Sequence, residues 1–250
     1  SGRDVIALVG DVRERLALDY AHNTILFHFV PAVFVCTALQ VGSGEVQSLE
    51  RVQRRFDFLH GLFQDEFVFH PDIPSSHLLS RACADLADQG VVELLGPGGG
   101  DDLRAEEPDQ WVGGGLSVRI EGKSLRLIDQ HSASFFIATI RSILESYYIV
   151  LRVATVLRSR PLTEEQLVAS SLNLARRMFL AEQVTRPESA SKANLVNAVR
   201  HFRARGVFVA SFSGPGLLQL DEEQRERFFA PIRMLFDSRW LEPSGGEALP

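Results

Sequence analysis

Asn23 to Val41 reads NTILFHFVPAVFVCTALQV, the most apolar run in the chain, with His28 and Pro31 in its middle. As one straight helix, Ile25 to Val41 would be roughly 25 Å long at about 1.5 Å per residue. That falls short of the roughly 30 Å core of a bilayer, and Pro31 would remove a hydrogen bond inside it. The stretch therefore reads as a buried or membrane-abutting hairpin broken at Pro31, sheltered by the charged segments on either side. Phe27, Phe29, Phe34, Phe67 and Phe69 need the same shelter. At about 1.5–3 kcal/mol per large side chain, leaving all five exposed would forfeit on the order of 7–15 kcal/mol. That rivals the stability of a whole domain, so this chain, a partner or lipid must cover them.

Outward from this run the chain reads as mostly helical. Val5, Leu8, Val9, Val12 and Leu16 share one face of a helix over Asp4 to Asp19. From Glu45 onward Val46, Leu49, Val52, Phe56 and Leu59 recur at helical spacing, with Ser43 placed to cap that helix. Pro71 and Pro74 mark a turn, and Ser75 or Ser76 can cap a helix ended by Gly90. Val91 to Leu95 is a short strand, residues 96–115 are a solvated loop, and Leu116 to Glu121 with Ser124 to Asp129 signal a hairpin about Gly122-Lys123. A long helix over Ser132 to Leu157 follows. Beyond Pro161, Thr163 and Gln166 form a capping box for a helix to Glu182, and Ala190 to Arg205 is another helix closed by Gly206. Val207 to Phe212 and Leu217 to Leu220 form a second hairpin. Asp221 with Gln224 caps a last helix, bent at Pro231 and ending near Trp240.

Leu79, Ala82, Cys83, Leu86, Gly90 and Val91 match Leu195, Ala198, Val199, Phe202, Gly206 and Val207 at the same mutual spacing. Duplication and convergent packing both account for this. The expected fold class is mostly α with short β-hairpins, carrying two winged-helix-like helix–strand–strand–helix units. The expected divisions are a helical segment with the apolar hairpin at 1–70, the first unit at 71–160, the second at 161–243, and a tail at 244–250.

The totals exclude several function classes. Of 250 residues 45% are hydrophobic and 23% charged, too apolar for disorder. The net charge of -6 argues against a general nucleic-acid binder. Cys36 and Cys83 are too few for a disulfide scaffold and read as buried thiols in a reducing compartment. Positive charge is nearly all arginine, because Lys123 and Lys192 are the only lysines. That bias suits a GC-rich bacterial genome. The opening Ser-Gly-Arg, with no Met and no signal segment, is expected of a piece of something longer.

Four motifs carry chemistry on paper. His60 and Asp65 fit H-x4-D, in which a carboxylate orients a histidine that deprotonates an acceptor hydroxyl. Gly61, Leu62 and Phe63 between them are apolar, however, so the structural expectation is an exposed His60 at a helix end with Asp65 and Glu66 meeting nearby arginines. His22 and His28 bracket the apolar run without further ligands at metal spacing, and His28 is expected to be a core histidine. Gly96 to Gly100 lacks the ending of a phosphate loop, and Asp101 and Asp102 would repel phosphate. Lys192, Arg200, Arg203 and Arg205 make a modest basic face on the second unit, the basis of an alternative reading as a winged-helix DNA-binding regulator. In the first unit, Arg81 stands against Asp85 and Asp88. No catalytic, cofactor-binding or metal-ligating residue is assigned, and no cofactor is expected.

In this order the pieces resemble the C-terminal region of the membrane-associated glycerol-3-phosphate 1-O-acyltransferases and their dihydroxyacetone-phosphate relatives. Tyr20-Ala-His-Asn23 runs into Phe29-Val30-Pro31. Phe58-Leu59 is followed by Phe63-Gln-Asp65-Glu66-Phe67-Val-Phe69. Leu144-Glu145-Ser146-Tyr147 lies in the long helix, and the late helix closes on Arg205-Gly206-Val207. The family's catalytic residues belong to an upstream domain and have no counterpart here. The resemblance implies a parent enzyme that moves an acyl group from acyl-CoA or acyl carrier protein to the 1-hydroxyl of glycerol 3-phosphate in phospholipid synthesis. It implies that this portion alone is inactive, packs on the upstream acyltransferase catalytic domain and seats it on the cytoplasmic face of the membrane, with no nucleic-acid partner.

Overall fold

The structure, a computed structural model, describes residues 29–236 apart from 43 and 97–122. Within them lie seven α-helices and two three-stranded antiparallel sheets, the mostly α fold with short β-hairpins that the patterning requires. In chain order these are α1 (Phe29–Gln40), β1 (Gln47–Ser48), α2 (Leu49–Leu62), α3 (Ser75–Asp88), β2 (Val92–Leu95), β3 (Ser124–Leu127) and α4 (Gln130–Val153). After them come β4 (Leu162–Thr163), α5 (Glu164–Leu180), α6 (Lys192–Ala204), β5 (Phe208–Ala210), β6 (Leu217–Leu220) and α7 (Glu222–Leu235). Short 3₁₀ turns at Ala154–Arg158 and Pro187–Ala190 complete the list.

The apolar run differs from its expectation in one respect. The chain passes through Pro31 as helix instead of turning there. Proline's fixed φ is already helical and its missing N–H breaks at most one bond near an end, so burial outweighs the loss. Val33, Phe34, Val35, Cys36, Ala38 and Leu39 are all fully enclosed, which is the lot of a helix apolar on every side. Phe34 stacks on Phe63 at 5.8 Å and meets Phe56, Phe67 and Phe69 at 5.7, 6.5 and 6.1 Å. Phe34, Phe67 and Phe69 are thus covered by this chain itself, Phe29 remains partly exposed, and Phe27 lies outside the described residues. The carbonyls at the end of α1 are met by side chains. Arg55 Nη1 donates to Ala38 O at 2.8 Å and Val41 O at 3.2 Å, and Gln47 Nε2 donates to Leu39 O at 2.9 Å.

Two caps are corrected. The helix expected from Glu45 begins at Leu49, because Gln47 and Ser48 pair with Leu125 and Ser124 of β3. Ser48 rather than Ser43 is its N-cap, and Val46, expected on the inner face, is exposed. α3 starts behind Pro74 with no side-chain cap, since the Ser75 hydroxyl donates to Asp57 Oδ1 at 2.7 Å instead. The caps Thr163–Gln166 and Asp221–Gln224 form as the spacing requires. Pro231 sits inside α7, and Trp240 lies outside the described residues, as do the helix over 4–19 and the first arm of the hairpin over 116–121. Both cysteines are free and buried, and burial pushes each thiol up to about 12.

The spacing match between the two halves extends to the whole topology. Helix–strand–helix–helix–strand–strand occurs from α1 to β3 and again from α4 to β6, and the sheets have the orders β1-β3-β2 and β4-β6-β5. The corner is built identically in both. Gly90 (φ +71°) and Gly206 (φ +77°) take the left-handed conformation after α3 and α6. Val91 N–H then bonds Leu86 O at 2.9 Å, as Val207 N–H bonds Phe202 O at 2.9 Å. A Cβ on either glycine would meet nothing within 4 Å, so only backbone strain opposes substitution. Gly206→Ala and Gly90→Ala should therefore each lower stability by about 1–2 kcal/mol, read as a fall in the urea midpoint without a change in slope.

Candidate functional site

α4 is the pillar around which both halves assemble, and three consecutive residues on it reach two separate neighbouring segments. A helix advances 100° per residue, so Glu145, Ser146 and Tyr147 cannot share a face. Glu145 is fully enclosed. Its Oε1 accepts from Arg141 Nε at 3.1 Å and from the Thr185 hydroxyl at 3.0 Å, and its Oε2 accepts from the Ser189 hydroxyl. The Ser146 hydroxyl lies 2.8 Å from Ser142 O and 3.0 Å from Ser189 O. Together these two residues fix the segment linking α5 to α6. Tyr147 points the other way, and its hydroxyl donates to Glu66 Oε1 at 3.1 Å.

Glu66 belongs to the loop that leaves α2, and that loop is held at several points by the second half. Asn197 Nδ2 on α6 donates to Glu66 Oε2 at 3.3 Å, and Arg205 Nη2 donates to Gly61 O at 3.3 Å. Next to Glu66, Asp65 Oδ2 lies 2.8 Å from Nδ1 of His201, whose side chain is completely buried. The carboxylate can only accept, so Nδ1 carries the proton and Nε2 is left bare, buried and without a partner. Rings of Tyr147, Phe202 and Phe228 surround it at 5.4, 5.4 and 6.1 Å. Burial lowers the pKa of His201 more than Asp65 raises it, keeping the imidazole neutral. Burial likewise raises Glu66 and Tyr147, against hydrogen bonds from Tyr147 and Asn197 that favour the Glu66 carboxylate.

A histidine oriented by a carboxylate is the arrangement that H-x4-D anticipates, but with the wrong histidine. His60 does not meet Asp65. Its ring lies on Phe69 at 4.2 Å, its Nε2 is buried without a partner, and burial lowers its pKa. The expectation of an exposed His60, with Asp65 and Glu66 on arginines, is therefore corrected: desolvation of aromatic neighbours draws the ring inward, and the acids face α4 and α6. The Asp65–His201 pair cannot serve as a base for an incoming hydroxyl, because the nitrogen that would take the proton is sealed. Sequence reasoning missed His201. The available signal was its place on the inner stripe of α6, beside Ala198 and Phe202.

The other sequence candidates separate in the same way. Arg203 Nη1 lies 3.0 Å from Glu164 Oε2 and Arg200 Nε 4.0 Å from Glu164 Oε1, so with Arg205 on Gly61 the arginines of the basic face have partners within the chain; Lys192 is exposed. Arg81 pairs with Asp85 at 4.0 Å on the surface of α3. His22 and His28 lie outside the described residues, among which no cluster of three potential metal ligands occurs.

The family model described as the glycerol-3-phosphate acyltransferase C-terminal region matches residues 1–211. The chain belongs to that family. No curated protein matches it. As a glycerol-3-phosphate acyltransferase C-terminal region, the chain is part of an acyltransferase of phospholipid synthesis whose catalytic domain lies upstream in the parent enzyme. The stretches Phe63 to Phe69, Leu144 to Tyr147 and Arg205 to Val207, on which the resemblance rests, are the ones that meet in the junction described above.

Two outcomes test this junction. Glu145→Ala strands the Thr185 and Ser189 hydroxyls, the second in a closed interior, so it should cost about 3 kcal/mol in a urea melt, with Glu145→Gln intermediate. A buried neutral histidine binds its proton more weakly in the folded chain than in the unfolded one, so stability is full above the ordinary value of about 6.5 and falls as pH drops below it. Glu66, with its pKa raised, acts in the opposite sense, its share of stability falling as pH rises above the ordinary carboxylate range. The urea midpoint should accordingly fall between about pH 6.5 and 5, and His201→Gln should flatten that slope.

Proposed function

We propose that this chain is a non-catalytic C-terminal region that packs on the upstream catalytic domain and helps seat it on the cytoplasmic face of the membrane. In this reading the parent enzyme moves an acyl group from acyl-CoA or acyl carrier protein to the 1-hydroxyl of glycerol 3-phosphate. The observation that carries the non-catalytic reading is the engagement of Asp65 by a sealed histidine on α6, which leaves His60 without its carboxylate. The family match supplies the parent reaction. An acyl chain must leave its thioester away from water, so a catalytic domain needs apolar walls around it. Phe29 and Phe135, 44% and 73% exposed, flank Phe136 at 6.3 and 6.2 Å and offer apolar surface suited to such packing. The helical stretch Gln130–Arg158 is long and apolar enough to cross a bilayer by length and composition, yet 56% of its apolar window is buried, as in a core helix.

The repeated element order also supports the winged-helix-like description, and with it the DNA-binding alternative. Pairing of Arg200 and Arg203 with Glu164 weighs against that alternative, since a phosphate backbone would have to displace the carboxylate.

The test uses the parent enzyme. His60→Ala should leave acyl transfer within about twofold of wild type, since it removes no transition-state contact. Phe135→Asp should release the enzyme from membranes or loosen the two domains to proteolysis. A loss of activity of about a hundredfold or more in His60→Ala, in the range expected for a lost general base, would return that residue to the active site. Salt-sensitive retention on DNA would favour the alternative.

A further inference from the structure

The last turn of α5 carries apolar side chains on the face that the rest of the helix gives to water. Its inner stripe is Leu167, Val168, Ser171, Leu174, Ala175 and Met178. At about 100° per residue, Arg176 and Leu180 each lie about 200° around the helix from Met178, so they share the outer face one turn apart. Leu180 is 82% exposed and Phe179 beside it 39%. The helix then stops abruptly. Glu182 takes a left-handed backbone (φ +56°), Gln183 N–H bonds Met178 O at 2.8 Å, and Val184 is buried again. Phe179 and Leu180 thus stand at a convex corner, where Leu180 gains almost nothing from this chain.

The same corner gathers cations without counter-ions. Arg176 and Arg177 are exposed, and neither pairs with a carboxylate among the described residues. Arg152 Nη1, from the last turn of α4, lies 3.9 Å from Met178 Sδ and likewise has no carboxylate partner among them. Residues 176–186 hold three arginines and one acid, Glu182. Other exposed arginines are neutralised: Arg200 and Arg203 share Glu164, Arg158 meets Glu222, and Arg227 meets Glu223. Arg51 and Arg54 have no such partner either, but Glu50 and Asp57 flank them on α2.

The combination selects a partner. A docked protein would have to bring a hollow for the apolar pair and carboxylates for three uncompensated guanidiniums. An anionic bilayer supplies both anywhere on its surface, taking apolar side chains at the acyl boundary while arginines beside them reach the head groups. With a net charge of -6 the chain as a whole is repelled by an anionic leaflet, so attraction has to come from a local cationic patch. We propose that the C-terminal corner of α5 is where this chain touches the membrane, with Phe179 and Leu180 entering the interface of an anionic bilayer and Arg152, Arg176 and Arg177 meeting its head-group phosphates. The proposal rests on the membrane-seating reading above and names the surface that carries it.

Flotation of the parent enzyme with vesicles of phosphatidylcholine and phosphatidylglycerol should retain it, less so as salt rises. Arg176→Gln combined with Arg177→Gln should weaken retention about tenfold or more, and Leu180→Ser about fivefold or more. All three positions are exposed, so the melting temperatures of these variants should equal wild type, which separates lost binding from lost folding. Phe212→Ser is the control. It removes a fully exposed ring from the β5–β6 turn, whose sheet joins α5 at the opposite end through Thr163, and should leave retention unchanged. A wild-type enzyme that vesicles do not retain overturns the seating reading and the site together. Retention unchanged in both α5 variants, or lowered equally by Phe212→Ser, overturns the site and leaves the seating reading standing. Unchanged flotation with faster proteolysis between the domains in Leu180→Ser also overturns it, and assigns the corner to the catalytic domain.

Discussion

A helix that is apolar around its whole circumference has to be enclosed, and everything else in this chain accommodates α1. Enclosure removes water from the carbonyls at its C-terminal end, so donors must be brought to them from elsewhere in sequence. Arg55 and Gln47 are those donors. Supplying them sets where α2 runs and why Gln47 sits at the edge of a sheet. The aromatic set around Phe34 then fixes how the loop after α2 must fold back. Once Phe63, Phe67 and Phe69 are turned toward α1, Asp65 and Glu66 between them are left facing the second half.

The two halves share a topology and differ in what the third helix of each does. At matched spacing, Arg81 and Asp85 on α3 correspond to Asn197 and His201 on α6. The first pair makes an ion pair in solvent, while the second receives the acids of the loop. One framework thus presents either a solvated face or an internal docking face, depending on two side chains one helical turn apart. The matching glycine corners and the matching strand orders of the two antiparallel sheets give both halves one topology, which duplication and convergent packing would each produce.

Much of this was legible in the sequence because local rules decide it. Helical spacing located α2 to α7, the glycines at 90 and 206 ended α3 and α6, and the capping box at Thr163 and the side-chain cap at Asp221 started α5 and α7. What escaped was settled by contacts distant in sequence. β1 exists only because β3 lies beside it, which moved a helix start from Glu45 to Leu49. Pro31 reads as a break unless burial of the residues after it is known. The H-x4-D spacing brought His60 near Asp65 along the chain, whereas the partner that Asp65 takes is more than a hundred residues away. The family resemblance held over its whole range, but the reason Glu145, Ser146 and Tyr147 occur together is visible only once three separate segments are seen converging on α4.

The acidic loop after α2 carries a lesson about how such a molecule can grow. Two copies of a small unit placed end to end would ordinarily behave as beads, each opening on its own. Here a handful of residues between the second and third helices of the leading copy reach across and complete the polar interior of the trailing one. Opening either copy would uncover a carboxylate or an imidazole in the other, so the pair should rise and fall as one cooperative body despite its repetitive architecture.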